Sequence, residues 1–437
     1  MKDIHLENYR CFANLQMHFA KHINLLVGDN ASGKTSLLLA LRTAMSSFFL
    51  GYSDENTRFI GLAKNDFSLR DSETSYLNEL PVKVSFDFGD YIEGQSVEAR
   101  GYIELKSKKS RTSIAGAKHY KAYSHEIYNT LFDEQTMAQT KSLPLFASFS
   151  TEDIHATRKL ESGKFKEYKH KPSFGYYECL QGDGLLKYWL NRLLVLAEKN
   201  PQHPEIIGVR NAIRTALGEN GCNIISDIEV RPFKKSIFYK FIDGREVEAQ
   251  NLSDGYKRLV NIVMALAFRC LLLNRGIYGF AACEQTKGTV LIDEIDLHLH
   301  PTLQACVVKS LTRTFPNLQF IITTHAPMVM SGVSSNDDNV VYKMLYTPDD
   351  GYEQRRIDPY GMDVSTIIGN ELGLIPRDRY VQSELDILFE YINEEKFEKA
   401  KEKLQTIRQH IQSKLPELTK AETMISLMEE PFDEKDC

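Results

Sequence analysis

The sequence lacks any apolar run approaching the roughly 18 residues that a helix needs to cross a bilayer. Its first residues, MKDIHLENYRCF, alternate as a strand does and carry no apolar core of the kind a secretory signal needs. Together these absences lead to the expectation of a cytoplasmic protein with no membrane span. Cysteine is scattered: none of the seven (Cys11, Cys179, Cys222, Cys270, Cys283, Cys306 and Cys437) is spaced as CxxC, which argues against a disulfide framework and a zinc knuckle. There are no internal repeats and no sustained heptads, so a coiled-coil arm is not expected. Excess positive charge is missing too. The formal net charge is −6, and bulk charge of that sign does not advertise a nucleic-acid binder.

At 437 residues the chain is longer than a typical domain and divides, on this reading, into two or three units. Its 42% apolar and 26% charged residues are ordinary for a globular protein. Basic residues cluster at 106–111 (KSKKSR), 164–171 (KFKEYKHK) and 231–235 (RPFKK). Each cluster reads either as a solvated loop or as a patch for phosphates.

Residues 1–27 alternate as two strands, the second a continuous apolar run at 23–27 that suits a buried central strand. A glycine loop and a helix from about Ser36 follow. Residues 81–106 read as antiparallel strands, 107–140 as polar and irregular, and 143–150 (LPLFASFS) as a buried strand. The pattern turns helical over about 180–220, strands return near 225–230 and 236–242, and a long apolar helix is expected over about 255–273. Further short strands are expected at 290–292 and 320–322. Beyond residue 345 the chain reads as mostly helical and charged, with Leu385, Leu388, Phe389 and Ile392 at i, i+3, i+4, i+7 spacing.

Five segments carry chemistry. Gly28-Asp29-Asn30-Ala31-Ser32-Gly33-Lys34-Thr35, followed by Ser36, fits GxxxxGK[ST] between a strand and a helix. Glycines at 28 and 33 let backbone N–H groups wrap a phosphate, Lys34 suits the β- and γ-phosphates of ATP, and the Thr35 hydroxyl suits Mg²⁺. Thr289-Val290-Leu291-Ile292-Asp293-Glu294 is an apolar strand ending in two carboxylates, Asp293 for Mg²⁺ and Glu294 to polarise an attacking water. Leu252-Ser253-Asp254-Gly255 opens the long helix and offers free N–H groups to an anion; alone it is a plain helix cap. Asp296-Leu297-His298-Leu299-His300-Pro301 places two histidines two apart, with too few partners for a metal site. The fifth, Ile321-Ile322-Thr323-Thr324-His325, is a strand ending in a histidine, which alone would read as structural.

In this order the five segments resemble the head of ABC-type ATPases of the Rad50, SMC and RecF group. The resemblance implies an α/β fold: a mixed sheet with the P-loop, an antiparallel β subdomain and a helical signature subdomain. Here these would be joined by a helical insertion and a helical C-terminal tail. It also implies that Leu252, Ser253, Asp254 and Gly255 contact ATP held by a second copy, so that two heads close as a head-to-head dimer. Asp296 and His298 would be the D-loop, His325 the switch histidine, and Arg10 in the FRCF-like Arg10-Cys11-Phe12 a neighbour of the nucleotide. No glutamine before the strand at Val82 fits the Q-loop. LPLFASFST, FGYYECL and the tail from YGMDVSTIIGNELG to PELTKAETMISLMEE look like a subgroup of bacterial anti-phage defence ATPases, the PtuA family of Septu systems. The partner implied there is the HNH nuclease PtuB, with DNA as the target. LSDG stands here for LSGG, and the segment around Arg158 departs from the subgroup's YxTxR.

The organisation expected is an N-terminal lobe at 1–150, a helical insertion at 151–225, a C-terminal lobe at 226–345 and a helical tail at 346–437. A nuclease within this chain is not expected, because no DxD pair follows a strand after His325 and no HNH arrangement is present. A RecF-like repair ATPase, or an OLD-like ATPase without its nuclease domain, is the alternative. The apolar stripes of the tail either pack on the head or receive a partner.

Overall fold

The computed structural model describes residues 1–51, 58–67, 81–89, 100–107, 109–132, 138–151, 172–182, 184–349, 351–375, 377–411 and 415–429. The basic cluster at 164–171, Arg158, Lys108 and Cys437 lie outside the described residues. The chain forms two compact units, Met1–Asp363 and Val364–Cys437.

The first unit is built on a six-stranded mixed sheet. Its strands are β3 (Ile23–Gly28), β6 (Leu145–Phe149), β10 (Gly288–Ile292), β11 (Leu318–Thr323), β12 (Asn339–Thr347) and β13 (Gly351–Ile357), in the order β13-β12-β3-β11-β10-β6. All neighbours are parallel except the edge pair β12–β13. Every residue of β3, β10 and β11 is buried, which explains their unbroken apolar sequences: a parallel strand covered on both faces has no solvent side to alternate with. Because the strands run the same way, their C-terminal ends emerge along one edge of the sheet. Segments distant in sequence meet there.

A second sheet is fully antiparallel, ordered β2-β1-β4-β5, from β1 (Asp3–Tyr9), β2 (Phe12–His18), β4 (Val82–Asp87) and β5 (Gly101–Leu105). The N-terminal stretch expected as two strands is therefore three, because Arg10 turns the chain at φ 49° and pairs Tyr9 with Phe12. A third sheet joins β7 (Ile225–Arg231), β8 (Ser236–Phe241) and β9 (Glu246–Glu248).

Six helices of eight or more residues are described in this unit: α1 (Lys34–Ser46), α2 (Lys118–Asn129), α3 (Leu186–Lys199), α4 (Pro204–Leu217), α5 (Asp254–Tyr278) and α6 (Val307–Thr314). The region 107–140, expected to be irregular, contains α2. Tyr120, Tyr123, Ser124 and Ile127 form its buried stripe, so the helical period was present but carried by tyrosines rather than aliphatics. The expectation of no apolar span also needs correction. Helix α5, continued to Gln285, is long and apolar enough to cross a membrane, but 78% of its most apolar window is buried inside the unit. It is apolar because it is a core helix, with Phe268 stacked on Trp189 of α3 at 4.9 Å.

The second unit contains α7 (Arg379–Asn393), α8 (Phe397–His410) and α9 (Pro416–Glu429). Their stripes meet one another: Leu385, Leu388 and Ile392 of α7 pack with Ala400, Leu404 and Ile407 of α8 and with Leu418, Ala421 and Ile425 of α9. The tail thus carries its own core. The region after 345 is also less helical than expected, since β13 extends the head sheet to Ile357.

Candidate active site

The glycine loop leaves β3 at Gly28 and enters α1 at Lys34. Gly28 (φ 141°), Ala31 (φ 64°) and Gly33 (φ 94°) adopt positive φ, which wraps the backbone tightly. At Gly28 a Cβ would stand 2.4 Å from the Met344 carbonyl oxygen, and at Gly33 one would stand 2.6 Å from Cζ of Phe12. Gly33 therefore seats the loop against the β1–β2 turn that carries Arg10 and Cys11. Arg10 Nε donates to Asp66 Oδ1 at 2.7 Å, and its backbone N–H donates to the Asp66 carbonyl at 2.8 Å.

Lys34 is 7% exposed, with Nζ donating to the carbonyls of Gly28 and Asp29, both at 2.8 Å. Burial pushes its pKa down, and the nearby carboxylates of Asp29, Asp293, Glu294 and Asp296 pull it back. Asn30, Ala31 and Thr35 are exposed, Ser36 half-buried and Ser32 buried. An open loop of N–H donors with an ammonium at its base is arranged for a polyphosphate.

Asp293 follows β10 and accepts a hydrogen bond from Thr35 Oγ1 at 3.4 Å and from Thr323 Oγ1 at 2.7 Å. The same Thr323 hydroxyl accepts the Glu294 N–H at 2.7 Å. Glu294 adopts φ 48°, a turn that takes the chain off the strand. Among the described residues no group of three or more His, Cys, Asp or Glu side chains could hold a metal alone. A Mg²⁺ bound mainly by nucleotide phosphates needs only one or two protein oxygens, and the Thr35 hydroxyl and Asp293 carboxylate supply that donor set.

Leu252 is buried, while Ser253 and Asp254 are exposed at the start of α5, and the Ser253 side chain caps no N–H of its own helix. A Cβ on Gly255 would lie 2.4 Å from the His298 carbonyl oxygen, so the helix start rests on the D-loop segment of the same chain. Asp296 accepts from Thr324 Oγ1 at 2.5 Å. His298 is exposed at φ 62°; the ring of His300 instead accepts from the Thr302 N–H at 3.4 Å, capping the turn Pro301–Gln304. His325 follows β11, half-buried, beside the two threonines.

The fold therefore gathers the glycine loop, Asp293–Glu294 and His325 at the C-terminal ends of adjacent strands. It leaves Ser253 and Asp254 facing solvent. Three further groups join the site. Thr323 and Thr324 orient the carboxylates, and their signal was two hydroxyl residues closing an otherwise apolar strand. Arg258, fully buried in α5, donates Nη2 to the Asp293 carbonyl at 2.6 Å and ties that helix to the carboxylate pair. An arginine set among the apolar positions of the helix was its signal, a feature it shares with the buried Arg269. Finally, β6 pairs with β10 so that Phe149 accepts the Asp293 N–H at 2.9 Å, which puts Ser150 at the same edge.

The family model described as "AAA domain, putative AbiEii toxin, Type IV TA system" (AAA_21) matches residues 23–331. The chain belongs to the AAA_21 family. The span of this AAA_21 domain runs from β3 past His325 and contains the strands that carry the glycine loop, the carboxylates and His325. Over 405 residues (79% of this chain, 74% of the relative) the protein is 24% identical to "Retron Vc95 probable ATPase" of Vibrio cholerae serotype O1 biovar El Tor. Over 401 residues (77% and 70%) it is 26% identical to "Retron Ec83 probable ATPase" of Escherichia coli. A shorter match, 36% identical over 99 residues (23% of this chain, 13% of the relative), is to "Septu protein PtuA" of Bacillus mycoides strain KBAB4. Among solved structures, an SMC head bound to the C-winged helix domain of ScpA is 12% identical with a TM-score of 0.46, covering 82% of this chain and 97% of that one. This AAA_21 protein is an ABC-type ATPase of the Rad50/SMC/RecF group, close to PtuA.

Proposed function

We propose that the chain is the ATPase subunit of a bacterial anti-phage defence complex, a nucleotide-gated dimer that controls a partner HNH nuclease acting on DNA. The observation that carries the reading is an unequal distribution of site groups. The glycine loop and the two carboxylates converge at one edge of the sheet, whereas Ser253 and Asp254 open to solvent at a helix start that the Ser253 side chain does not cap. In this reading ATP lies on the loop of one copy and the helix start of a second copy completes its enclosure.

Lys34 releases the loop carbonyls to take the β- and γ-phosphates, and the loop N–H groups, with Ser32 and Ser36, hold the remaining oxygens. Thr35 and Asp293 would hold Mg²⁺, which would supply charge neutralisation to the phosphates. Glu294 orients and deprotonates the attacking water, His325 donates to the γ-phosphate, and Asp296 and His298 line the dimer face. Closure around ATP then shifts the population of the dimer and so licenses the partner.

The test is the Glu294→Gln variant, which is expected to bind ATP, to turn over at background rate and to run as a dimer in light scattering only with ATP. Lys34→Ala is the control that should bind no nucleotide and stay unassembled. Turnover at the normal rate in Glu294→Gln would remove that residue from its role. Pull-down with the product of the neighbouring reading frame tests the nuclease partner.

A further inference from the structure

The hairpin β7–β8 ends in the turn Pro232–Lys234, and at its apex Phe233 has a relative exposure of 105%, the largest among the exposed large apolar residues described. The turn is braced. Pro232 fixes the first position, the Lys235 N–H donates to the Pro232 carbonyl at 2.9 Å, Lys235 closes the turn at φ 49°, and Arg231 pairs with Ser236 in the ladder.

The charges of the sheet below it are spent internally. Arg231 pairs with Glu229 at 2.7 Å and Glu246 at 2.9 Å while its guanidinium lies over Phe238 at 4.1 Å. Lys240 pairs with Glu229, Arg245 with Asp243, and Asp227 with Arg210 and Arg214. Lys234 and Lys235 are left over, with no ion pair among the described residues. A hydrogen-bonded tip thus presents one solvent-facing phenyl ring and two cations with no ion pair among the described residues, on a chain of net charge −6.

We propose that this tip is a contact for single-stranded nucleic acid, with Phe233 stacked on an unpaired base and Lys234 and Lys235 on the flanking phosphates. An exposed ring followed in the chain by two exposed cations suits an unpaired base and its flanking phosphates, and every base offers a face to stack on, so the contact is sequence-tolerant. A duplex keeps its base faces stacked inside and would meet only the two charges. The inference is independent of the dimer and nuclease reading above.

The experiment measures fluorescence anisotropy of the full chain with labelled oligo(dT) and oligo(rU) of about 20 nucleotides and a duplex of the same length. Phe233→Ala is expected to weaken single-strand binding roughly tenfold while Phe233→Trp retains it. Lys234→Gln with Lys235→Gln is expected to reduce the slope of log K against log salt by about 1.4. A loss with either the deoxy or the ribo probe supports the proposal and says which strand is taken. Unchanged affinity in Phe233→Ala, or tighter binding to the duplex than to single strands, overturns it. So does tip-dependent binding to phosphatidylserine vesicles with oligonucleotide affinity unaltered. ATPase turnover of the tip variants, expected at the wild-type level, separates this outcome from a failure of the nucleotide cycle.

Discussion

Thr323 shows how one hydroxyl can hold one carboxylate and the backbone of the next acidic residue in register. It is fully buried, donates to the Asp293 carboxylate and accepts from the Glu294 backbone N–H, so neither the Asp293 side chain nor the Glu294 backbone can turn away without leaving a buried polar group unpaired. Thr323→Val keeps the shape and removes the hydroxyl. Unfolding stability should fall by about 1–3 kcal/mol in urea titration. The Mg²⁺ concentration for half-maximal ATPase should rise, because Asp293 loses its anchor, and Thr323→Ser should restore both. A valine variant with wild-type Mg²⁺ dependence would assign Thr323 to packing alone. The residues that touch phosphate were legible from spacing, since a glycine loop has few alternatives between a strand and a helix. Thr323, Thr324 and Arg258 were not, because their partners lie on other strands and helices.

At the scale of elements, α5 connects the small third sheet to the site. Phe241 of β8 packs edge-on to Tyr256 in the first turn of α5, with centroids 5.4 Å apart. That sheet is itself anchored to α4 through Asp227. Burial pushes the Asp227 carboxyl up, but the guanidiniums of Arg210 and Arg214 and the Ile228 N–H outweigh it and hold the group well below the usual carboxylate range. A carboxyl depressed in the folded state stabilises above its unfolded pKa and loses that contribution as pH falls through the folded value. Asp227→Asn should therefore cost about 1 kcal/mol at neutral pH, allowing for solvent around the two arginines. The gap between variant and wild type should narrow as chemical unfolding is repeated from about pH 4 downward. A gap that stays constant with pH would deny the pair this role. Elements with aliphatic periodicity were legible; α2 was missed because its buried stripe is built of tyrosine.

For the whole molecule, the division between Asp363 and Val364 separates two cores. The three tail helices bury their own stripes against one another. Removing residues 364–437 should leave ATP binding within about twofold, since the glycine loop, the carboxylates and His325 all lie in the first unit, and should abolish co-purification of the proposed partner nuclease. Isothermal titration and pull-down check the two halves. Loss of nucleotide binding would mean that the tail supports the head's fold, and retained co-purification would move the partner surface onto the head.

The sequence by itself determined the local chemistry: which loop can wrap phosphate, which strand ends in carboxylates, and which helices carry apolar stripes. Those properties depend on residue type and spacing within one element. Only the tertiary structure decided what each element meets. Parallel order in the sheet brings the ends of β3, β10 and β11 together, although the motifs they carry lie far apart along the chain. Burial on all sides turns a membrane-like α5 into a core helix, and packing of α7, α8 and α9 on one another makes the tail a unit of its own. An amphipathic face specifies that it will be covered. It does not specify by what, because burial of apolar surface is non-directional.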